Sequence, residues 1–287
     1  MSLIHELQEK FGRPVTLRRV LADHSAVQTV LKDSTGGIGV RSVVRWDEWG
    51  AARDSMRVSR GGEGNSARSV QPPKLPLGVC RMTEEWECEI QDVAGFASSK
   101  SDLAQFPSLD EMVESNSPEM IEEITERKLE EHLAHREIRI LHQPRSSDYF
   151  ARFAWDGRLF LMNEGGSHHF AAARYISARI GRPVSLRATL RCYELELSAI
   201  VSLRRDFDLY ALSGEQADLY RFHEAFRAHR ATYFWLPLPV PYERGCAIFL
   251  PKNLSRSARL SRELAGAGVF DLGLHLSALA QPASEHR

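Results

Sequence analysis

The chain has 287 residues, of which 43% are hydrophobic and 26% are charged, so disordered, collagen-like and coiled-coil proteins are excluded. Its longest stretches without Asp, Glu, Lys or Arg, residues 231–242 and 272–284, fall short of the roughly 18 apolar residues that a membrane helix needs. The formal net charge is −1, but the charges are unevenly distributed along the chain: residues 84–131 hold 15 acids and 3 bases, whereas residues 172–262 hold 8 acids and 15 bases. This distribution excludes a uniformly basic DNA-binding domain.

The first hundred residues predict little regular structure. A helix is expected over Leu3–Phe11 and a strand over Val40–Trp46, and Trp46 and Trp49 are expected to anchor a small core. Ser59–Pro76 and Ser98–Ser117 are rich in turn-forming residues and are expected to be loops. No function is predicted for this region.

An acidic helix is predicted next. Ser117 is a favourable N-cap, Pro118 suits the first helical position, and the acidic residues of 119–131 begin at the positive end of the helix dipole. His132 and His135 stand one turn apart, a spacing that can bind a metal ion, but no carboxylate completes a recognised ligand set. We therefore predict no metal ligands among these residues and expect both histidines at a solvated helix end.

From residue 138 onward, strands alternate with helices. Asp156-Gly157 between two β-prone runs is a strong hairpin signal, and Gly181 is typical of a helix C-terminus. The predicted elements are strands Ile138–Leu141, Tyr149–Ala154 and Arg158–Asn163, helix His168–Arg179, strands Val184–Leu190 and Phe207–Leu212, a helix capped by Ser213, extended Leu236–Pro241, strand Cys246–Leu250 and helix Ser255–Leu264.

The segment between the predicted hairpin and the next helix has the features of an anion site. Gly165 and Gly166 allow a tight turn and close approach of an anion to the backbone. Ser167 is a natural N-cap, and the free N–H groups of a helix start bind phosphate. His168 and His169 add hydrogen-bond donors at the same point. Gly166→Val is expected to abolish ligand binding and to leave folding largely intact.

The same turn resembles the ParB/sulfiredoxin superfamily, over about residues 138–195. Sulfiredoxins carry Gly-Gly-Cys-His-Arg-Tyr-Ala-Ala between a strand and a helix, and ParB proteins and ParB-like free-serine kinases share a looser pattern. Ser167 replaces the sulfiredoxin cysteine, so sulfinic-acid repair is not implied, and His169 replaces the arginine. The resemblance implies a fold that wraps this turn around nucleotide phosphates. The matching residues are Gly165-Gly166-Ser167-His168-His169-Phe170-Ala171-Ala172.

The residues of the turn receive these predicted roles. His168 and His169 contact phosphate together with the two glycines and the serine, and Arg174 or Arg145 neutralises charge. Glu164 is the only carboxylate in the turn that could hold a divalent metal or act as a base, so Glu164 and His168 are the catalytic candidates. A nucleotide with Mg²⁺ is the expected ligand, and any catalysis is expected to be phosphoryl transfer or nucleotide hydrolysis.

A serine hydrolase is the less favoured alternative. The turn contains the first glycine and the serine of the nucleophile elbow Gly-x-Ser-x-Gly but lacks its last glycine. Ser167 would be the nucleophile, with Asp206 or Asp208 and His223 or His275 as its partners.

The charge segregation predicts an internal interaction. The acidic helix over residues 119–131 is expected to pack beside an arginine-rich face, where it shields that face from anions or offers it to a second subunit. The arginines expected on this face are Arg174, Arg179, Arg221 and Arg227.

Together these patterns predict an α+β protein with a mixed sheet and packed helices. Residues 1–97 are expected to form an irregular N-terminal region, 98–137 a linker with the acidic helix, and 138–287 a ParB/sulfiredoxin-like core with an α/β C-terminal extension. The four scattered cysteines form no Cys-x-x-Cys pair and the chain does not open like a secretory signal, so a cytoplasmic protein without a membrane partner is expected. A phosphorylated small molecule is the first ligand candidate, and a non-enzymatic nucleic-acid- or protein-binding module is the alternative.

Overall fold

The computed structural model describes residues 8–9, 11–23, 31, 36–51, 56–62, 64–143, 146–212, 216–242 and 244–281. The strands in chain order are β1 (Arg57–Ser59), β2 (Gly78–Glu89), β3 (Val93–Phe96), β4 (Tyr149–Phe153), β5 (Leu159–Met162), β6 (Ser185–Leu195), β7 (Phe207–Leu212), β8 (Tyr233–Pro237) and β9 (Cys246–Pro251). The α-helices are α1 (Val15–Leu21), α2 (Gly64–Ser69), α3 (Leu109–Asn116), α4 (Glu126–Leu133), α5 (Arg139–His142), α6 (Ser167–Ile180), α7 (Leu197–Asp206), α8 (Gln216–Ala228), α9 (Ser255–Gly266) and α10 (Leu272–Leu279).

The chain forms two compact units, each assembled from separate stretches. Residues 1–31, 45–78 and 195–287 form what we call the terminal unit, and residues 32–44 and 79–194 form the central unit. The sequence predicts three consecutive segments instead. Strand β1 pairs with β8, which lies more than 170 residues away in the chain. Local sequence patterns do not reveal so distant a pairing, so they do not show that residues 45–78 belong to the terminal unit.

The central unit contains a five-stranded mixed sheet in the order β2-β6-β4-β5-β3. β4 runs antiparallel to β5 and parallel to β6, and β3 runs parallel to β5. Helices pack against the same core as this sheet, so the predicted α+β class with a mixed sheet and packed helices is confirmed.

Helix α6 is the main core helix of the central unit. Phe170, Ala171, Ala172 and Ile176 are at most 1% exposed, and the small alanines allow close helix packing. Glycines in the left-handed conformation bound the helix at both ends, as sequence predicts for its C-terminus.

The acidic segment over residues 119–131 does not form the single helix from Ser117 that the sequence predicts. A 3-10 turn covers Pro118–Ile121, and α4 begins separately where the Thr125 hydroxyl accepts a hydrogen bond from the Lys128 N–H at 3.2 Å. Helices α3 and α4 both pack against α6, burying Leu109 and Leu129. The helices of the acidic stretch therefore supply buried apolar side chains to the core of this unit.

Several other local predictions are wrong. The apolar run Ile138–Leu141 forms helix α5 rather than a strand, because a short apolar run has no distinguishing period. Val40–Trp46 begins with a 3-10 turn and not with a strand. The two predicted loops contain helices α2 and α3, and strands β2 and β3 had no sequence prediction. Most of Leu3–Phe11 and all of Ser213 lie outside the described residues.

The terminal unit contains an antiparallel sheet in the order β1-β8-β9-β7, against which α1, α8 and α9 contribute to one apolar core. Its strands β7 and β9 and helix α9 match the sequence predictions. Trp46 and Trp49 are buried with their rings 5.4 Å apart, so the expected tryptophan core is confirmed. Among the residues described, no helix combines the length and the apolar character that crossing a membrane requires.

Candidate functional site

The Gly165-Gly166 turn connects strand β5 to helix α6, as predicted. Gly166 has a φ of +72°, and a Cβ at this position would lie 2.7 Å from the Glu137 carbonyl oxygen. The left-handed glycine is the helix N-cap, and Ser167 is the first helical residue. The predicted Ser167 cap is therefore wrong, and so is the expectation that Gly166→Val leaves folding intact, since a side chain there meets backbone.

A second loop, residues 97–102, faces this turn. It follows β3, and because β3 and β5 are parallel neighbours, their carboxyl ends lie at the same edge of the sheet. The buried Asn163 side chain joins the two loops: its Oδ1 accepts from the Ser98 N–H at 3.2 Å, and its Nδ2 donates to the carbonyl oxygens of Ser98 and Gly165 at 3.0 and 2.9 Å. The hydroxyl of Ser167 donates to Ser99 Oγ at 3.0 Å.

The two loops line a cavity of about 980 Å³ in the central unit, into which the start of α6 opens. The lining carries serine hydroxyls, both histidines of the turn and one lysine, Lys100. It also carries four carboxylates, so its charged groups sum to a negative value. These carboxylates are Asp102, Glu119, Glu137 and Glu164.

His168 lies between two serine hydroxyls. Its Nδ1 is 2.5 Å from Ser117 Oγ and its Nε2 is 3.1 Å from Ser101 Oγ, and Asn116 Nδ2 donates to the same Ser101 oxygen at 2.7 Å. Burial, together with the charge of Lys100, lowers the pKa of His168. A neutral His168 ring held by two hydroxyl groups carries no positive charge, so it can act on a ligand only as a neutral polar group.

His169 belongs to a cluster of three histidines. Its ring stacks on His135 with centroids 3.6 Å apart, and its Nδ1 is 3.1 Å from Nδ1 of His132. Burial lowers the pKa of His169 to about 4, with His135 and His132 adding to the effect, and burial also lowers the pKa of His132. His132 is buried and approaches the Met120 carbonyl at 2.7 Å, so the expected solvated helix end is wrong for it.

Glu164 is exposed and forms an ion pair with Arg139 on α5. Close by, Asp148 is 3% exposed, and neither oxygen of its carboxylate has a hydrogen-bond partner of ordinary geometry in the described part of the chain. Burial raises the pKa of Asp148, and the Glu164 backbone N–H and the Arg139 charge oppose that rise. No group of three or more metal-ligating side chains is found across the residues that the structure describes.

Of the two predicted arginines, Arg174 does not line the cavity. Arg174 points to α3, where its guanidinium contacts the Asp110 carboxylate at 2.6 Å, and Arg145 lies outside the described residues. Arg179 also contacts Asp110, at 3.3 Å, and Arg182 contacts Glu130 at 2.5 Å. Within the predicted acidic helix over residues 119–131, Glu130 pairs with an arginine of the central unit, but this is Arg182 and not a predicted one. Arg174 and Arg179 pair instead with Asp110, which lies on α3 outside that helix.

The other two arginines expected on that face lie elsewhere. Arg221 and Arg227 are on α8 of the terminal unit, where Arg221 pairs with Asp23 and Asp218 and Arg227 with Glu224. The predicted four-arginine face is therefore wrong in its membership.

A model of a protein family matches residues 83–287 of the chain, and its description is a family of unknown function, DUF6685. The chain belongs to this family. The matched region contains every residue that lines the cavity, so the site lies within the part of the chain that defines membership. Comparisons with curated proteins and with solved structures found no match.

Within this DUF6685 chain, all four expected hydrolase partners of Ser167 belong to the terminal unit, where each has other neighbours. The ring of His275 lies 6.0 Å from the ring of Trp46. Asp208 accepts from Ser261 Oγ at 2.6 Å, Asp206 pairs with Arg205, and His223 Nδ1 lies 3.0 Å from the Tyr233 hydroxyl. Ser167 itself donates to a serine and not to a histidine.

Sequence reasoning missed the second wall of the cavity. The stretch around Lys100 lacks the second glycine of a phosphate loop, so its sequence does not predict a phosphate site. Asn163 had no signal of its own, and the patterns at Ser117 and His132 predicted a helix cap and a solvated helix end. Their roles at this site were missed because each acts through a partner distant in the chain.

Proposed function

We propose that this cavity binds a phosphorylated small molecule of the cytoplasm, with a nucleotide and Mg²⁺ as the first candidate. The observation that carries the proposal is the convergence of two loops, from neighbouring parallel strands, on the first turn of the 14-residue helix α6. Backbone N–H groups at a helix start, hydroxyl groups and a lysine are the donors that bind phosphate oxygens. Lys100 takes the role first expected of the arginines.

The resemblance to the ParB/sulfiredoxin superfamily supports the same proposal. The structure has a strand, a Gly-Gly turn and a helix at the resembling residues, and in that superfamily the turn wraps nucleotide phosphates. We accordingly propose a ParB/sulfiredoxin-like core around residues 138–195 and a phosphate position at Gly165, Ser167 and His168.

The negative charge of the lining is the reason to include a divalent cation. Mg²⁺ prefers oxygen ligands and commonly binds through one or two carboxylates together with substrate phosphates, which agrees with a lining that offers carboxylates without a closed ligand set. Glu164 would hold the ion, which would neutralise phosphate charge. Lys100 and the α6 N–H groups would orient the phosphates, and any reaction would be phosphoryl transfer or nucleotide hydrolysis.

The alternative of a nucleic-acid- or protein-binding module has less support. Arg174, Arg179 and Arg182 of the central unit are each paired with a carboxylate. A surface whose arginines are already neutralised attracts phosphate backbones less strongly. Binding of a second subunit through the acidic helix stays a prediction.

Titration of the protein with each ribonucleoside triphosphate and with inorganic tripolyphosphate, with and without Mg²⁺, tests the proposal. A bound ligand raises the stability by about 2.7 kcal/mol at a hundredfold excess over Kd, which a thermal shift detects. We expect Lys100→Ala to lower affinity by about tenfold or more, as loss of a charged hydrogen bond does. Lys74→Ala in the terminal unit is the matched control. No shift with any of these phosphates would contradict the proposal.

Gly165→Val is the backbone test. A Cβ at Gly165 has its closest neighbour at 3.6 Å, in the Glu137 side chain, and the residue lacks a left-handed φ. The backbone therefore accommodates a Cβ at this position, and valine places methyl groups at the cavity wall. We expect binding to fall with little loss of stability, whereas unchanged binding would argue against phosphate at this turn.

A further inference from the structure

The protonation of His169 follows from the groups that contact the histidine cluster. The Met120 carbonyl can only accept a hydrogen bond, so the His132 Nε2 atom, 2.7 Å away, carries the proton. In a neutral His132 ring, Nδ1 then has the lone pair. The neighbouring His169 Nδ1, at 3.1 Å, must be the donor of that contact.

A neutral His169 whose Nδ1 carries the proton has an unprotonated Nε2. Burial and the neighbouring histidines keep this ring neutral by lowering its pKa to about 4. The ring lines the cavity, and no partner for Nε2 is found among the residues that the structure covers. The stacked His135 ring, 3.6 Å away, restrains the orientation of His169.

A lone pair at this position is repelled by phosphate oxygens, so His169 does not suit the phosphate contact expected from the sequence. It accepts a hydrogen bond instead, and the cavity of about 980 Å³ has room for more than a phosphate group. We infer that His169 Nε2 receives a hydroxyl or amino group of the phosphorylated ligand, with His132 as the positioning residue that fixes its tautomer. This inference rests on the proposed function and narrows the ligand to phosphate compounds that carry a hydrogen-bond donor.

The tautomer is measured directly on the full chain by the ¹⁵N chemical shifts of the histidine rings. At neutral pH we expect His169 to show a protonated Nδ1 and an unprotonated Nε2. His132→Gln keeps an amide donor for the Met120 carbonyl and an oxygen that accepts from His169, so the tautomer should persist. His132→Phe keeps a ring of similar shape but neither group, and the preference should be lost. A wild-type His169 protonated at Nε2 would overturn the inference.

Ligand selection is measured by titration with inorganic tripolyphosphate and with each ribonucleoside triphosphate in the presence of Mg²⁺. His169→Phe keeps a stacking ring and removes the acceptor. We expect it to weaken the nucleotide that binds wild type most tightly by about fivefold or more, since an unpaired donor is left in the complex, and to change tripolyphosphate affinity by less than about twofold. His142→Phe, on α5 outside the cavity lining, is the control.

The outcomes separate the two proposals. If wild type binds tripolyphosphate as tightly as every nucleotide, or if His169→Phe weakens both ligands equally, the inference about His169 is overturned and the phosphate site stands. If none of the phosphate compounds binds, the proposed function fails and the inference fails with it.

Discussion

Three glycines around helix α6 allow backbone strain and steric clash to be measured separately. Gly166 has a φ of +72°, and a Cβ there would lie 2.7 and 2.8 Å from the carbonyl oxygen and carbon of Glu137. Gly181 has a similar φ of +68° but no atom within 4 Å of its Cβ position. Gly165 has neither problem. Substitution of each glycine by alanine therefore adds one factor at a time.

The expected free energies follow from these contacts. A left-handed conformation costs an alanine about 1–2 kcal/mol, so Gly181→Ala should lower the free energy of unfolding by that amount. Gly166→Ala adds a clash with backbone that cannot rotate away, and forced shifts of this kind cost a further 1–3 kcal/mol or so. We expect a total loss of about 2–5 kcal/mol. Gly165→Ala should change stability by less than about 1 kcal/mol.

Urea denaturation followed by circular dichroism measures all three variants under the same conditions. Each change removes the same freedom from the unfolded chain, so differences among the variants report the folded state. If Gly166→Ala is no less stable than Gly181→Ala, the close approach of the 137–138 backbone to the turn is refuted. If Gly165→Ala is as damaging as Gly166→Ala, the assignment of strain to one glycine is refuted.

Three further outcomes are expected. Asn163→Ala removes three side-chain hydrogen bonds, two to Ser98 in the facing loop and one to Gly165 in the same turn. It should lower the free energy of unfolding by about 2–4 kcal/mol and expose residues 97–102 to hydrogen exchange, and unchanged protection of this loop would contradict the role of Asn163. Asp148→Asn should raise the free energy of unfolding at pH 7, because a carboxyl group whose folded pKa is raised contributes stability in acid and loses that contribution as pH rises through the pKa. The stability advantage of the variant should therefore shrink in acid. An equal advantage at all pH values would refute the raised pKa of Asp148 as its cause. The pKa of His169 is lowered from 6.5 to about 4, so its contribution is present above 6.5 and is lost as pH falls toward 4; His169→Phe should make stability less dependent on pH in this interval, as denaturation at stepwise pH values would show.

The structure also changes how the acidic segment is to be tested. Deletion of residues 98–131, a natural test of a shielding helix, would remove Leu109, Met112 and Leu129 from the core of the central unit. Replacement of Glu130 by Gln is the usable test, because it removes the partner of Arg182 without disturbing buried residues. Exposed ion pairs of this kind contribute about 0–1 kcal/mol, so stability should hardly change.

Local patterns in the sequence determined much of the central and later chain. Periodicity and the Asp156-Gly157 turn predicted β4, β5 and α6 within one or two residues at each end, and Gly181 ended the helix where expected. These elements were predictable because alternation, helical spacing and glycine turns act within a few residues. Ile138–Leu141 was mispredicted because it is too short to show a period.

The chain also determined by itself that the Gly165-Gly166 turn joins a strand to a helix, since glycine content and the following alanines are local properties. Only the tertiary structure decided what faces that turn. The parallel pairing of β3 with β5 brings Lys100 and Asn163 to one edge of the sheet, and the packing of α4 on α6 places His132 against His169. The tautomer of a histidine depends on the groups that contact it. The Met120 carbonyl sets the tautomer of His132, and His132 in turn sets that of His169, so the tautomer of His169 depends on a residue 49 positions away in the chain.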